Sequence, residues 1–275
     1  MKYILLFLCI LSLSCKYNVA NPVGTLRDYT EGSGIIYDVS SSATAAEIEM
    51  ALRKNKHSLG KYLIKVSATN DTSNSATNIL NKIKEALNKN PSFNNVEVDI
   101  SKLEGITEIP ESAFKDVKNL GSISLSDKVT TVKKEAFSGC SSLSDIRFSN
   151  GLTDILDGAF SNCSALTLVM LSSEKLTNIG TNAFSGCSSL ANLVLPANLK
   201  KIEDTAFKDC SRLVNVEYLG SSINDDLKNC KPFSNGTKPK NLYLPNLGTG
   251  STTTFSSFLG GSWGNNIYKS HIPNS

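Results

Sequence analysis

Four cysteines stand at regular intervals in this chain, Cys140, Cys163, Cys187 and Cys210, separated by 23, 24 and 23 residues. Thiols can serve as zinc ligands, disulfide partners or nucleophiles. The spacing argues against zinc, because it is nothing like Cys-x-x-Cys and one ion cannot be reached from four successive turns of chain. Disulfides between neighbouring turns are not excluded, since adjacent strands lie about 5 Å apart. The plainer reading is packing: Val117 fills the equivalent place one repeat earlier, and buried cysteine behaves as a small hydrophobe. Cys230 lies off this series. The two histidines, His57 and His271, have no cysteine, serine or carboxylate at a spacing that suggests a triad or a zinc site. There is no Gly-x-Ser-x-Gly, no phosphate-cradling Gly-rich loop and no acidic calcium loop, and Asp225-Asp226 reads as a turn. The sequence points away from an enzyme, and it assigns no metal, cofactor or small-molecule substrate.

A different chemistry is written at the start. Lys2 precedes an apolar run at residues 4–11, followed by Ser12-Leu13-Ser14-Cys15. So short an apolar run reads as a secretory signal, because a membrane span needs about 20 residues. Small Ser14 before Cys15 suggests a lipobox, with residues 1–14 removed and Cys15 carrying acyl chains. At about 0.8 kcal/mol per buried CH₂, several such chains make a stable membrane anchor. Ser12 departs from the usual leucine, and Leu11 sits one place too early. Ordinary cleavage would instead release a soluble secreted protein.

The cysteines take their spacing from a repeat. Ala-Phe recurs at Ala113-Phe114, Ala136-Phe137, Ala159-Phe160, Ala183-Phe184 and Ala206-Phe207. Self-similarity at this period is the signature of a solenoid. Each unit opens on Leu120, Leu143, Leu166, Leu190 or Leu213 and continues with Ile123, Ile146, Val169, Leu193 or Val216. Leu125, Phe148, Leu171, Leu195 or Tyr218 follows two places on. Alternation with period two describes a strand with one buried face. A second apolar pair comes next, as in Val129/Val132 and Leu152/Ile155, before the Ala-Phe turn. Residues 96–100 read as an earlier rung. Residues 241–244 read as a later one, after a three-residue insertion around 229–232, so the array spans 96–245 in seven rungs.

The run from Leu103 through Ile106, Ile109 and Pro110 to Ala113-Phe114, with Ala-Phe-Ser-Gly-Cys-Ser-Ser-Leu at 136–143 and 183–190, resembles the BspA-type leucine-rich repeat family. The version it resembles is the one common among treponemal surface lipoproteins. That resemblance implies an α/β repeat solenoid, right-handed, in coils of 23 residues. It also implies binding to proteins, often host matrix or cell-surface ligands.

Residues 15–40 read as a Gly-, Ser- and Asn-rich tether with one edge strand at 35–37. Residues 41–95 read as a small α/β N-terminal cap. In it Ser42 or Thr44 opens a helix bearing Ala45, Ile48 and Leu52, residues 62–66 form a strand, and residues 73–89 form a second helix stopped by Asn90-Pro91. Such a cap covers the open edge of the first coil. Residues 246–275 read as an irregular C-terminal cap, with Phe255, Phe258, Leu259 and Trp263 folded over the last coil. Net charge is near balance at +3, and +2 without Lys2, which argues against a nucleic-acid partner.

Outward positions on the main strands define a candidate partner-binding set: Asp145, Arg147, Leu168, Met170, Asn192, Val194, Asn215, Glu217 and Tyr243. Leu168, Met170 and Val194 would form an exposed apolar centre, rimmed by Asp145 and Arg147 on one side and by Asn215 and Glu217 on the other. A second outward row, rich in threonine from Thr107 to Thr177 and ending at Lys200-Lys201, reads as fold-maintaining. Two functions fit: a surface-displayed outer-membrane lipoprotein that adheres to host proteins, or a periplasmic scaffolding lipoprotein with an endogenous partner.

Overall fold

The computed structural model describes residues 26–31, 34–67, 73–222, 225–234, 237–246, 258–261, 263 and 266–273. The expected signal segment, Cys15 and Phe255 lie outside these residues.

The chain enters through an antiparallel hairpin, β1 (Leu26–Glu31) and β2 (Gly34–Val39). This differs from the tether with one strand expected for residues 15–40. The reason lies in Asn55, fully buried on helix α1 (Ala45–Leu59). Its Oδ1 accepts from the Tyr37 amide at 2.8 Å, and its Nδ2 donates to the Tyr37 and Leu63 carbonyls at 2.9 and 2.7 Å. One amide side chain thus ties the hairpin both to its own helix and to the strand that holds Leu63. Thr44 caps α1 in a reciprocal box with Glu47, and Gly60, at φ 74°, ends it in the left-handed region that glycine tolerates. Strand β3 (Leu63–Lys65) and helix α2 (Ser73–Lys89) complete the cap, with Ile79, Leu80, Ile83 and Leu87 of α2 fully buried.

Beyond the cap the chain winds into coils, most giving a main strand and then a short second strand. They supply β4 (Val96–Asp99), β5 (Glu108–Ile109), β6 (Leu120–Ser124), β7 (Thr131–Val132), β8 (Asp145–Arg147) and β9 (Asp154–Ile155). Next come β10 (Leu168–Met170), β11 (Asn178–Ile179), β12 (Asn192–Leu195), β13 (Lys201–Ile202) and β14 (Asn215–Tyr218). A short helix α3 (Asp225–Asn229) occupies the insertion, and β15 (Asn241–Tyr243) and β16 (Ile267–Tyr268) close the main row. Pairing along both rows is parallel. Strand β3 pairs with β4, so the cap shields the first coil's edge by adding a strand to it.

The Ala-Phe turns form the inner spine. Phe114, Phe137, Phe160, Phe184 and Phe207 are fully buried, with ring centroids 5.3, 5.1, 5.1 and 5.2 Å apart along the series. Phe233 extends the pile at 5.9 Å, and Trp263 meets Phe233 edge-on at 6.4 Å. The Phe114, Phe137, Phe160 and Phe184 amides each donate to the alanine carbonyl one coil on, at 2.7–2.8 Å. This close approach explains why alanine precedes the ring. Each turn also passes through two left-handed residues. One precedes the alanine (Ser112, Glu135, Gly158, Asn182, Thr205), and one stands two places after the phenylalanine (Asp116, Gly139, Asn162, Gly186, Asp209). On the second row, Thr130 and Thr153 hydroxyls donate to the Thr107 and Thr130 carbonyls at 3.1 and 2.9 Å, so the threonines hold coil to coil.

Candidate protein-binding face

Alternation on the main strands aims one residue in two away from the spine, but what those residues meet varies along the array. The main row is not one sheet. Strands β3, β4, β6 and β8 form one, β10, β12, β14, β15 and β16 another, and β8 and β10 are not paired. Elsewhere the strand ends are stitched, as by Ser144 N–H to the Gly121 carbonyl and Ala191 N–H to the Thr167 carbonyl, both at 2.9 Å. Among the described residues the equivalent bonds from Thr167 to Ser144 and from Phe148 to Met170 are missing. The coil at this seam carries Phe148 where Leu125 and Leu171 stand in its neighbours, its ring edge-on to Phe160 at 5.6 Å. The second row crosses the same interval unbroken, β9 pairing with both β7 and β11. Ser173 reinforces that side, its Oγ lying 3.0 and 2.9 Å from the Asn150 and Leu152 carbonyls.

The seam opens a cleft of about 360 Å³ between Asp145, Arg147 and Phe148 on one wall and Leu168, Met170 and Ser173 on the other. Met170 is 43 % exposed, the largest exposure of any large apolar residue on the coils, and Leu168 is half-buried. Asp145 and Arg147 are exposed, and neither forms an ion pair among the described residues. An apolar floor with an unpaired guanidinium and carboxylate at its rim can seat an apolar side chain and read the charge beside it.

The rest of the expected set is placed differently. Asn192 and Asn215 are half-buried and bond each other: Asn215 Nδ2 donates to Asn192 Oδ1 at 2.7 Å, and Asn241 Nδ2 to Asn215 Oδ1 at 2.8 Å. This amide row bonds side chain to side chain along the sheet. Val194, Glu217 and Tyr243 were expected to face solvent, and that expectation is corrected: they are 5 %, 1 % and 8 % exposed. The C-terminal segment covers them, Ile272 packing with Val194 and Tyr243 and Tyr268 stacking on Tyr243 at 5.0 Å. Phe258, Leu259 and Trp263 are buried as a lid, and Trp263 Nε1 donates to the Phe258 carbonyl at 2.8 Å. Sequence reasoning missed Ile272 as a covering residue and Phe148 as the mark of a seam. For Phe148 the signal was present, a bulky ring in a leucine row.

The cysteines are free and lie inside the coils. Each thiol points at a phenylalanine carbonyl of the preceding coil: Cys140 to Phe114 at 3.0 Å, Cys163 to Phe137 at 3.2 Å, Cys187 to Phe160 at 3.3 Å and Cys210 to Phe184 at 3.2 Å. Burial pushes Cys140 and Cys210 up to about 12, and Cys163 and Cys187 upward for the same reason. Thiols held neutral in this way are poor nucleophiles and poor ligands. They fill space and satisfy a carbonyl.

The family model for the BspA type leucine rich repeat region matches residues 107–231 in six copies. Among solved structures, the chain is 30 % identical to the T. pallidum leucine rich repeat protein over 53 % of this chain and 71 % of that one, with a TM-score of 0.44. It is 33 % identical to a leucine rich cell surface protein from Faecalibacterium prausnitzii over 46 % of this chain and 32 % of that one, with a TM-score of 0.43. It is 16 % identical to the pneumococcal vaccine antigen PcpA over 65 % of this chain and 42 % of that one, with a TM-score of 0.49. A search of curated proteins gives no match. Six matched copies of the repeat, together with 30 % identity over 71 % of the T. pallidum protein, make the chain a member of the BspA-type leucine-rich repeat family, whose arrays are in general protein-interaction scaffolds and typically non-enzymatic.

Proposed function

We propose that this chain is a non-enzymatic envelope lipoprotein, anchored through Cys15 and displayed on the outer membrane. In this reading its repeat array adheres to host matrix or cell-surface proteins. The observation that carries the binding reading is the seam cleft, where exposed Met170 and half-buried Leu168 lie opposite the unpaired Asp145 and Arg147. Contiguous apolar surface with a polar rim is what partner-binding patches present, and the C-terminal tail covers the rungs that follow it. The anchoring reading rests on the short apolar leader and the Ser-Cys junction at 14–15.

The test is adhesion of the mature chain to immobilised matrix proteins and host cells, with the Leu168→Glu, Met170→Glu double variant alongside. Binding should fall at least tenfold with an unchanged melting curve, and undiminished binding overturns the assignment of the contact centre. For the anchor, Cys15→Ala should move the protein from the membrane fraction to the soluble fraction. Protease added to intact cells should remove the array if it is displayed, and protection would indicate a periplasmic location instead.

A further inference from the structure

The C-terminal segment does more than close the last coil. Strand β16 already completes the row by pairing with β15. The chain then turns back over the outer face, so that Ile272 reaches Val194 on β12, two strands before β15. Glu217, a carboxylate only 1 % exposed, stands at the floor of the covered area. Its Oε2 accepts from the Ile272 amide at 3.1 Å, and its Oε1 accepts from Nδ1 of His271, whose side chain is itself 69 % exposed. Lys269, Ser270 and Pro273 are exposed. The segment therefore lies on the surface of the molecule, and the contacts that hold it include the Ile272 side chain and two bonds to one buried carboxylate.

A buried carboxylate is costly unless donors are supplied to it, and here they come from the overlying strap. The strap is thus arranged as a bound peptide would be: a short surface segment outside any strand, a side-chain donor, a backbone donor and an apolar anchor. The covered area is continuous with the exposed centre, because Val194 is in register with Met170. We propose that this face is a peptide-docking site whose resident occupant is the chain's own C-terminal segment. Its partner is a peptide with an imidazole or basic side chain followed directly by a β-branched aliphatic residue. Such a peptide repeats both bonds to Glu217 and seats its aliphatic residue among Val194, Tyr243 and Leu219. The site uses residues other than Leu168 and Met170, so the adhesion reading stands or falls separately.

The probe is a fluorescent peptide Ile-Tyr-Lys-Ser-His-Ile-Pro-Asn, the sequence of residues 267–274, titrated by anisotropy against the full mature chain and its variants. The Ile272→Asp chain should bind it at least tenfold more tightly than the wild type, whose site is filled. Adding Glu217→Gln should abolish that binding, and adding Met170→Glu should leave it unchanged. Should Ile272→Asp melt far below the wild type, His271→Ala is the milder opening and should bind the peptide several-fold more tightly than the wild type. Absence of binding by a well-folded Ile272→Asp chain overturns the proposal, as does equal binding by His271→Ala and the wild type.

Discussion

From Phe114 to Phe207 the turn side of the array carries five rings at centroid spacings of 5.1–5.3 Å. Over the same coils the main-strand side breaks into two sheets between β8 and β10. The two sides grow from one repeat, and the difference shows how labour is divided within it. The turn side buries whole rings, bonds each coil to the next and holds the thiols. The strand side keeps its inner residues buried while its outer surface varies from coil to coil. Continuity on one side leaves the other free to open without unstacking the solenoid.

The largest effect that could break this comparison is at the spine. Phe160→Ala removes a fully buried ring and should cost about 3–5 kcal/mol, visible as a lower midpoint in urea melts. Loss of less than about 1 kcal/mol would mean that the spine is not the stronger side. Next in size are the thiols. Because burial raises Cys140 and Cys210 to about 12 from an ordinary value near 9, folding favours the neutral thiol. That contribution is complete below pH 9 and is lost as the pH rises from 9 towards 12. Ellman's reagent at pH 8 should leave the four coil cysteines unmodified in the native chain and modify all of them in denaturant.

A smaller effect would sharpen the contrast. Phe148→Leu restores the leucine row, and amide hydrogen exchange at position 148 and at Thr167 should slow at least tenfold relative to the wild type. In the wild type these two amides should exchange faster than those of Leu125 and Ala191, which are bonded across their coils. Smallest is Thr130→Val, which deletes one hydroxyl bond on the unbroken second row and should cost about 0.5–1.5 kcal/mol. A null result there would assign the row's cohesion to its backbone pairing alone.

The fold was legible because the period is legible. Phenylalanines one repeat apart had to stack, the L-x-x-I-x-L residues had to face inward, and α2 was bounded to the residue by Asn90-Pro91. The candidate face was half legible. Alternation identifies which side chains leave the core, and Asp145, Arg147 and Met170 do so. It cannot say what lies above them. Val194, Glu217 and Tyr243 are covered by a segment as many as 78 residues downstream of them, whose composition carries no period. The hairpin at 26–39 reads in sequence as a tether with one edge strand at 35–37 because Gly32-Ser33-Gly34 obscures the pairing, and the Asn55 side chain that fixes it lies on another element.

The paired left-handed positions around each Ala-Phe set the grammar by which such an array can grow or be engineered. Gly139 and Gly186 sit at φ 76° and 75°, where a Cβ would meet the side-chain oxygens of Asp116 and Asn162 at 2.3 and 2.4 Å. One residue added or lost between the two positions would shift aliphatic and aromatic residues into a conformation they resist. Recombination between copies is therefore silent only when it exchanges whole turns in phase. A hybrid array should be spliced in its strands, where the chain is extended and every residue type is admitted.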